Sequence, residues 1–383
     1  MSPGSEGEAR LRSVHIAKKA AVAALIAAMA AGVSPASAET RGYVVSWFTH
    51  GMYNVEGDCP GGINPPIEKQ WVKDLMDIGK TKEEAEKLVM EALNGNRTSY
   101  ETIVNRGRVG DKWVNAYNNP QAVKDPQMTW VHSKQGIGFD LDGRDGPNSF
   151  EDPETGEKGI DNQMFRALGC INNLRAKPPL RSSDTEQCWY LIQDYQPAWL
   201  ISITADDFKN DDAATITFQR ALEHPSRDAN SATRANMTYR VDGDPRSHTE
   251  IKGRIKDGVF HAATEQTLSM VGDLLVMHKL DLHKAHVRMK ILDDGSIDGY
   301  IGGYQPWLQV FYPIGAGGNA FEMNVNHDIP GIYYLLKKHA DAEPDPKTGE
   351  NAAISAAWRI EGVPAFLVPA ETPGKQQATN VSR

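Results

Sequence analysis

Residues 274–291 alternate apolar and polar side chains over most of their length, and residues 297–304 resume the pattern after Asp293-Asp294-Gly295-Ser296. Successive side chains of a strand point to opposite faces, so two alternating runs joined by a Gly-containing turn form an antiparallel hairpin. A hairpin with one apolar face must cover that face with another layer, and this requirement governs the rest of the chain. Shorter strand signals surround it. Residues 43–48 are aromatic and β-branched, residues 199–203 and 214–218 flank an acidic turn, and residues 354–360 and 365–368 form late strands. Helical spacing is confined to residues 68–93, broken near Lys80-Thr81, and to residues 160–168 and 332–339. Thr81 and Glu84 make a capping box, and Gly95 supplies a stop. Residues 96–134 read as loops with short pieces of structure, and the run Gly315-Ala316-Gly317-Gly318 reads as a flexible loop. The predicted fold is mainly β: an antiparallel β-sandwich, jelly-roll-like, with a few helices near the N- and C-terminal ends.

Arg10, Arg12, Lys18 and Lys19 precede an apolar run at residues 20–31, which ends at Ser34-Pro35 and Ala36-Ser37-Ala38. A basic start, a short apolar core and an A-x-A site have the form of a secretory signal peptide. The run is shorter than the ~20 residues that span a bilayer. The expected organisation is a signal over residues 1–38, a mixed α/β segment over 39–135 that packs on a β-rich main domain over 136–368, and a polar tail over 369–383. The working protein is expected in the periplasm or the medium, with no transmembrane segment once the signal is removed. The chain carries a formal charge of −9, and the signal holds four basic residues against two acidic ones. The exported part is therefore more acidic than the whole, which argues against nucleic acid or an anionic membrane as partner.

The chain has three cysteines, Cys59, Cys170 and Cys188. In an oxidising compartment they make one bridge and leave one thiol. Cys170–Cys188 closes the shortest loop and is the pairing expected first. Cys59–Cys170 is its rival, because Cys59 sits in the stiff turn Asp58-Cys59-Pro60-Gly61-Gly62.

The stretch Asp140-Leu141-Asp142-Gly143-Arg144-Asp145-Gly146 is the strongest chemical signal, with Asp161-Asn162 following it. Calcium takes six to eight oxygen ligands, and alternating Asp residues with glycines let a tight loop turn carboxylates inward. The spacing resembles D-x-D-x-D-G calcium loops. An EF-hand is excluded, because Arg144 and Asp145 occupy its fifth and sixth positions and the preceding Gly136-Ile137-Gly138-Phe139 is not helical. A looser calcium site from Asp140, Asp142, Asp145, Asp161 and Asn162 is the expectation. The plainer reading is a solvated acidic loop with Asp161 capping the next helix.

His278, His283 and His286 are close in sequence, but an ideal strand sends His283 to the face opposite the other two and separates those by ~27 Å. No H-E-x-x-H, G-x-S-x-G, Walker or C-x-x-C-H motif is present. Two aromatic phrases, Tyr195 with Trp199 and Tyr304 with Trp307, are expected to form flat ligand-binding surfaces at the ends of strands. The plainer reading is that they fill the ends of the core. Two functional classes follow. The first is an exported, calcium-stabilised β-rich protein that binds a partner, a glycan or a hydrophobic small molecule. The second is an extracytoplasmic hydrolase whose site is assembled from dispersed His and carboxylate residues, with His50, His132 and His327 as the histidines to watch.

Overall fold

A computed structural model describes residues 38–177, 180–274 and 277–369. Residues 1–37 and 370–383, where nearly all of the export signal and of the polar tail fall, lie outside the described residues. In chain order the strands are β1 (Glu39–His50), β2 (Gly107–Val109), β3 (Lys112–Val114), β4 (Phe150–Glu151), β5 (Lys158–Ile160), β6 (Trp199–Ala205), β7 (Thr215–Arg220) and β8 (Met237–Val241). There follow β9 (His248–Lys252), β10 (Arg254–Lys256), β11 (Val259–Ala263), β12 (Leu268–Leu274), β13 (Met277–Ile291), β14 (Ile297–Pro306), β15 (Ala342–Pro344) and β16 (Asn351–Pro369). The helices are α1 (Ile67–Asp77), α2 (Lys82–Leu93), α3 (Arg97–Val104), α4 (Gln163–Leu168), α5 (Ser183–Tyr195), α6 (Trp307–Val325) and α7 (Ile329–His339). Among the described residues strand outweighs helix, 36% to 24%, as the mainly β reading requires.

The expected hairpin is present: β13 and β14 pair antiparallel from Ile291↔Ile297 outward. It belongs to one large sheet, ordered β10-β11-β13-β14-β16-β1-β6-β7-β9. The two ends of that order, β9 and β10, are separated in sequence by Gly253 alone. The sheet therefore curls until it is nearly closed, and the two layers of the expected sandwich are opposite walls of the same sheet. Neighbours along the order are antiparallel, and β8 joins the end of β16 in parallel. Gly253 is where the chain passes from one edge to the other. A Cβ there would meet the carbonyl oxygen of His261 at 2.4 Å and the Phe260 ring at 2.5 Å. Alternation fills the interior: Ile203, Ile216 and Ile251 stand opposite one another across three strands, each fully buried.

Two long excursions leave this sheet. Residues 51–198 intervene between β1 and β6, and residues 307–350 between β14 and β16. The first excursion opens with α1–α3, which have a small core of their own around Trp71, Leu75, Val89 and Ile103. The capping box is present, with Thr81 accepting from the Glu84 backbone N–H and Glu84 accepting from that of Thr81. Three local expectations are corrected. The two late strands are one continuous strand, β16, paired to both β14 and β1. The glycine run at 315–318 lies inside α6, which kinks at Gly318 (φ 54°, ψ −139°). Packing of Phe311 against Tyr333, with centroids 5.2 Å apart, holds α6 on α7 despite the Pro and Gly content that reads as loop. The third correction is α5, a helix at residues 183–195 that apolar spacing does not announce.

The disulfide joins Cys59 to Cys170, with Cα atoms 5.9 Å apart, and so Cys170–Cys188 is not the pairing. Tertiary docking overrides loop length. Arg175 donates to both oxygens of Asp58 at 2.8 and 3.0 Å, and the Asn64 backbone N–H donates to the Cys170 carbonyl at 2.9 Å. The turn carrying Cys59 is thereby seated on the end of α4. No helix among the described residues is long and apolar enough to cross a membrane.

Candidate functional site

Ile137, Phe139 and Leu141 alternate with Gly138, Asp140 and Asp142. The apolar set packs with Tyr300, with Tyr304 against its edge. Burying that face presents Asp140 and Asp142 on the other side, so the carboxylate pair is a consequence of strand-like alternation. Asp161 joins them from further along the chain, because its backbone N–H donates to the Phe139 carbonyl at 2.8 Å. The approach is close: a Cβ at Gly138 would lie 2.6 Å from the Asp161 carbonyl oxygen.

Asp140, Asp142 and Asp161 bring potential ligand oxygens within 4.8 Å of one another. One oxygen of each is held by a backbone N–H. Gly143 donates to Asp140 at 2.7 Å, Arg144 to Asp142 at 2.9 Å, and Leu141 to Asp161 at 2.9 Å. Among the described residues no ion pair reaches any of the three. Burial pushes the Asp161 carboxyl up to about 7 against the pull of the Leu141 N–H, and the charges of Asp142, Asp341 and Asp140 add to the rise. The other two expected ligands do not join. Asp145 is exposed and outside the cluster. Asn162 is fully buried and committed to structure: its oxygen accepts from Phe165 at the start of α4, and its amide donates to Gly51 and Ile137. Asn162, not Asp161, caps that helix.

A cavity of about 260 Å³ opens beside the cluster, lined by Asp142, Asp161, Tyr304, Lys338, His339 and Asp341 among others. Asp341 accepts from the Ser355 hydroxyl at 2.8 Å and its backbone N–H at 2.7 Å, yet burial still holds its carboxyl above the usual range. Burial pushes the His339 imidazole down to about 4, helped by Lys338, Arg166 and His132, so the ring is neutral near pH 7. The Tyr304 phenol is raised by burial and by the surrounding carboxylates. This arrangement can bind a hard cation through oxygen donors, and it sets a neutral imidazole and a phenol beside that point. Sequence reasoning missed His339 and Asp341. Both lie at the end of α7 and reach the site only because α7 packs on α4.

The remaining expected residues disperse. Trp199 and Trp307 are buried in the main core, at 4% and 7% exposure, whereas Tyr195 is 71% exposed at the end of α5. Trp307 meets Tyr333 at 5.4 Å between ring centroids. The two aromatic phrases therefore do not build paired flat surfaces, and only Tyr304 reaches the cavity. His50 lies against the Trp358 ring at 4.5 Å, His132 stacks on Trp130 at 5.3 Å, and His327 is buried; none of the three lines the cavity. His283 and His286 share a face after all, because a bulge at Lys284 (φ 51°) shifts the register between His283↔Tyr304 and His286↔Gly302. They are separately engaged, His283 by Glu343 at 2.6 Å and His286 by the Lys284 carbonyl at 2.9 Å. The side chain of His278 lies outside the described residues. Comparison with family models, with curated proteins and with solved structures finds no match to this chain.

Proposed function

We propose that this is an extracytoplasmic calcium-binding protein whose cation is held by Asp140, Asp142 and Asp161 and fastens the acidic loop beside a small polar ligand cavity. The observation that carries the reading is the meeting of three carboxylates within 4.8 Å, none of which is in an ion pair among the described residues. Two unit charges about 4 Å apart repel by about 4 kcal/mol at an effective dielectric of about 20, which a bound cation converts to attraction. The donors are all oxygens, which selects calcium or magnesium over zinc or copper. Asp142 is exposed, so water can complete the six to eight ligands of calcium, and an irregular loop suits its tolerant geometry. The basic and apolar start of the chain and the Cys59–Cys170 bridge support an oxidising compartment outside the cytoplasm.

The test is a pair of thermal melts of the exported form, one in chelator and one in excess calcium, with elemental analysis of protein from its own host. Calcium at 100 times its dissociation constant adds about 2.7 kcal/mol, a shift of several degrees. The double variant Asp142→Asn with Asp161→Asn should lose the shift. Superimposable melts for the parent protein, with no bound metal, reject the reading.

A second reading, a cation-assisted hydrolase, is favoured by one observation: neutral His339, Asp341 and Tyr304 border the same cavity as the carboxylates. Turnover of nitrophenyl esters, phosphates or glycosides that needs calcium and disappears in His339→Gln supports it. No turnover of any of them leaves the binding reading alone.

A further inference from the structure

A second cleft shares no residue with the acidic cavity. It has a volume of about 470 Å³ and lies between the end of α1, the outer side of α3 and the β2–β3 hairpin. Its platform is Trp113, 51% exposed. Trp113 pairs across the hairpin with Arg108, whose guanidinium lies 5.3 Å from the centre of the Trp113 ring. The walls carry Ile78 and Lys80 from one side and Thr98, Glu101 and Asn105 from the other. Several polar atoms there are uncommitted. Asn105 spends its amide on the Glu101 carbonyl at 2.9 Å, but its Oδ1, the Lys80 ammonium and the Thr98 hydroxyl have no hydrogen-bond partner among the described residues.

We infer that this cleft is a carbohydrate-binding site that stacks one pyranose ring on the Trp113 indole. A pyranose offers a flat apolar C–H face and a rim of hydroxyls that both donate and accept. The cleft offers the complement: one large flat aromatic face, and around it an amide oxygen, a hydroxyl, an ammonium and the Glu101 carboxylate, one oxygen of which already accepts from Arg97 at 2.8 Å. Pockets of this kind take affinity from the apolar face and orientation from a few placed polar groups.

The platform is held from beneath. Arg106, fully buried, immediately precedes β2, and its Nε donates to Asp74 of α1 at 2.7 Å. Ile78 and Lys80 follow Asp74 within six residues, so one buried contact sets both the wall and the hairpin that presents Trp113. Such preorganisation reduces what binding must spend on ordering. The inference goes beyond the cation reading, and neither depends on the other.

The experiment is electrophoresis of the exported protein through native gels containing, separately, mixed-linkage β-glucan, xylan, galactomannan, soluble starch and soluble chitosan, with oligo-deoxythymidine as a further arm. Retardation by at least one polysaccharide is expected, unchanged by chelator. Trp113→Ala should weaken it at least about tenfold, and Trp113→Tyr should retain most of it. Asn105→Ala should weaken it severalfold. Because Trp113 is half exposed, Trp113→Ala should melt with the parent, which separates lost binding from lost fold. Migration unaffected by every polysaccharide, retardation indifferent to Trp113→Ala, or Trp113-dependent binding of oligo-deoxythymidine alone would each overturn the inference.

Discussion

Arg106 donates through Nε to Asp74 at 2.7 Å, and neither side chain is more than 1% exposed. The same guanidinium reaches Glu322 at 2.9 Å and Asp328 at 3.1 Å. Trp71 and Tyr117 donate to the second oxygen of Glu322 at 2.8 and 2.7 Å. One cation thus ties α1 to the end of α6 and the start of α7. Burial raises the Asp74 carboxyl to about 6 even against the pull of Arg106, and burial holds Asp328 well above its ordinary value. Removing one partner of a buried charge set leaves the others desolvated and unpaired, at a cost of about 3–5 kcal/mol. Arg106→Met should lose that much in urea denaturation. A loss under about 1 kcal/mol would mean the carboxylates stay satisfied without Arg106.

The Cys59–Cys170 bridge spans 111 residues of chain. On the loop-entropy account, a closed loop of this size stabilises by roughly 4–5 kcal/mol. Replacing both cysteines by serine should lower stability by about 2–5 kcal/mol, and reductant should lower the melting temperature of the parent but not of the double variant. Peptide mapping without reduction checks the pairing directly: a fragment linking residues 170 and 188 would contradict it.

Burial pushes the His327 imidazole from 6.5 down to about 3, with His50 adding to the drop and a backbone contact at Asn326 opposing it. The unfolded chain protonates this histidine near pH 6.5 and the folded chain does not, so its contribution to stability is intact above pH 6.5 and lost as pH falls. The loss is about 1.4 kcal/mol per pH unit, between the unfolded value of 6.5 and the folded value of about 3. Asp161 works in the opposite direction, because its folded value of about 7 lies above its ordinary 3.8. The informative quantity is therefore the difference between His327→Leu and the parent. The variant should lose stability less steeply from pH 6.5 to 4, and parallel pH profiles would remove His327 as a contributor.

Gly253 joins β9 to β10, the two ends of the nearly closed sheet. A Cβ 2.4 Å from the His261 carbonyl oxygen cannot be accommodated by rotating a side chain, because the obstacle is backbone. Gly253→Val should cost about 1–3 kcal/mol by forcing the two edges apart. Gly243, whose Cβ would meet nothing within 4 Å, serves as the control, and Gly243→Ala should melt with the parent. Equal effects at the two positions would argue that the closure is not under steric constraint at Gly253.

Local patterns carried much of the fold. The β13–β14 hairpin, the capped α2 and the β6–β7 pair follow from alternation, turn chemistry and a capping box, all of which act within a few residues. The Asp140–Asp142 pair was legible for the same reason, since the alternation that buries Phe139 and Leu141 exposes the carboxylates between them. What failed was whatever depended on contacts distant in sequence. Trp199 and Trp307 carry the same signature whether they line a surface or fill a core, and only packing against distant residues buried them. A bulge at Lys284, invisible in the alternation, reversed the predicted facing of His283.

The sequence by itself therefore determined that this chain builds antiparallel strands, which of their faces are dry, and that Asp140 and Asp142 stand together. The tertiary structure alone decided that the sheet meets its own edge at Gly253, that Cys170 takes Cys59, and that Asp161, Asp341 and His339 come to the same cavity. The physical reason is range. Strand pleat and turn geometry are set by neighbours, whereas sheet closure, disulfide choice and the gathering of charges depend on which buried surfaces pack together once the whole chain has folded.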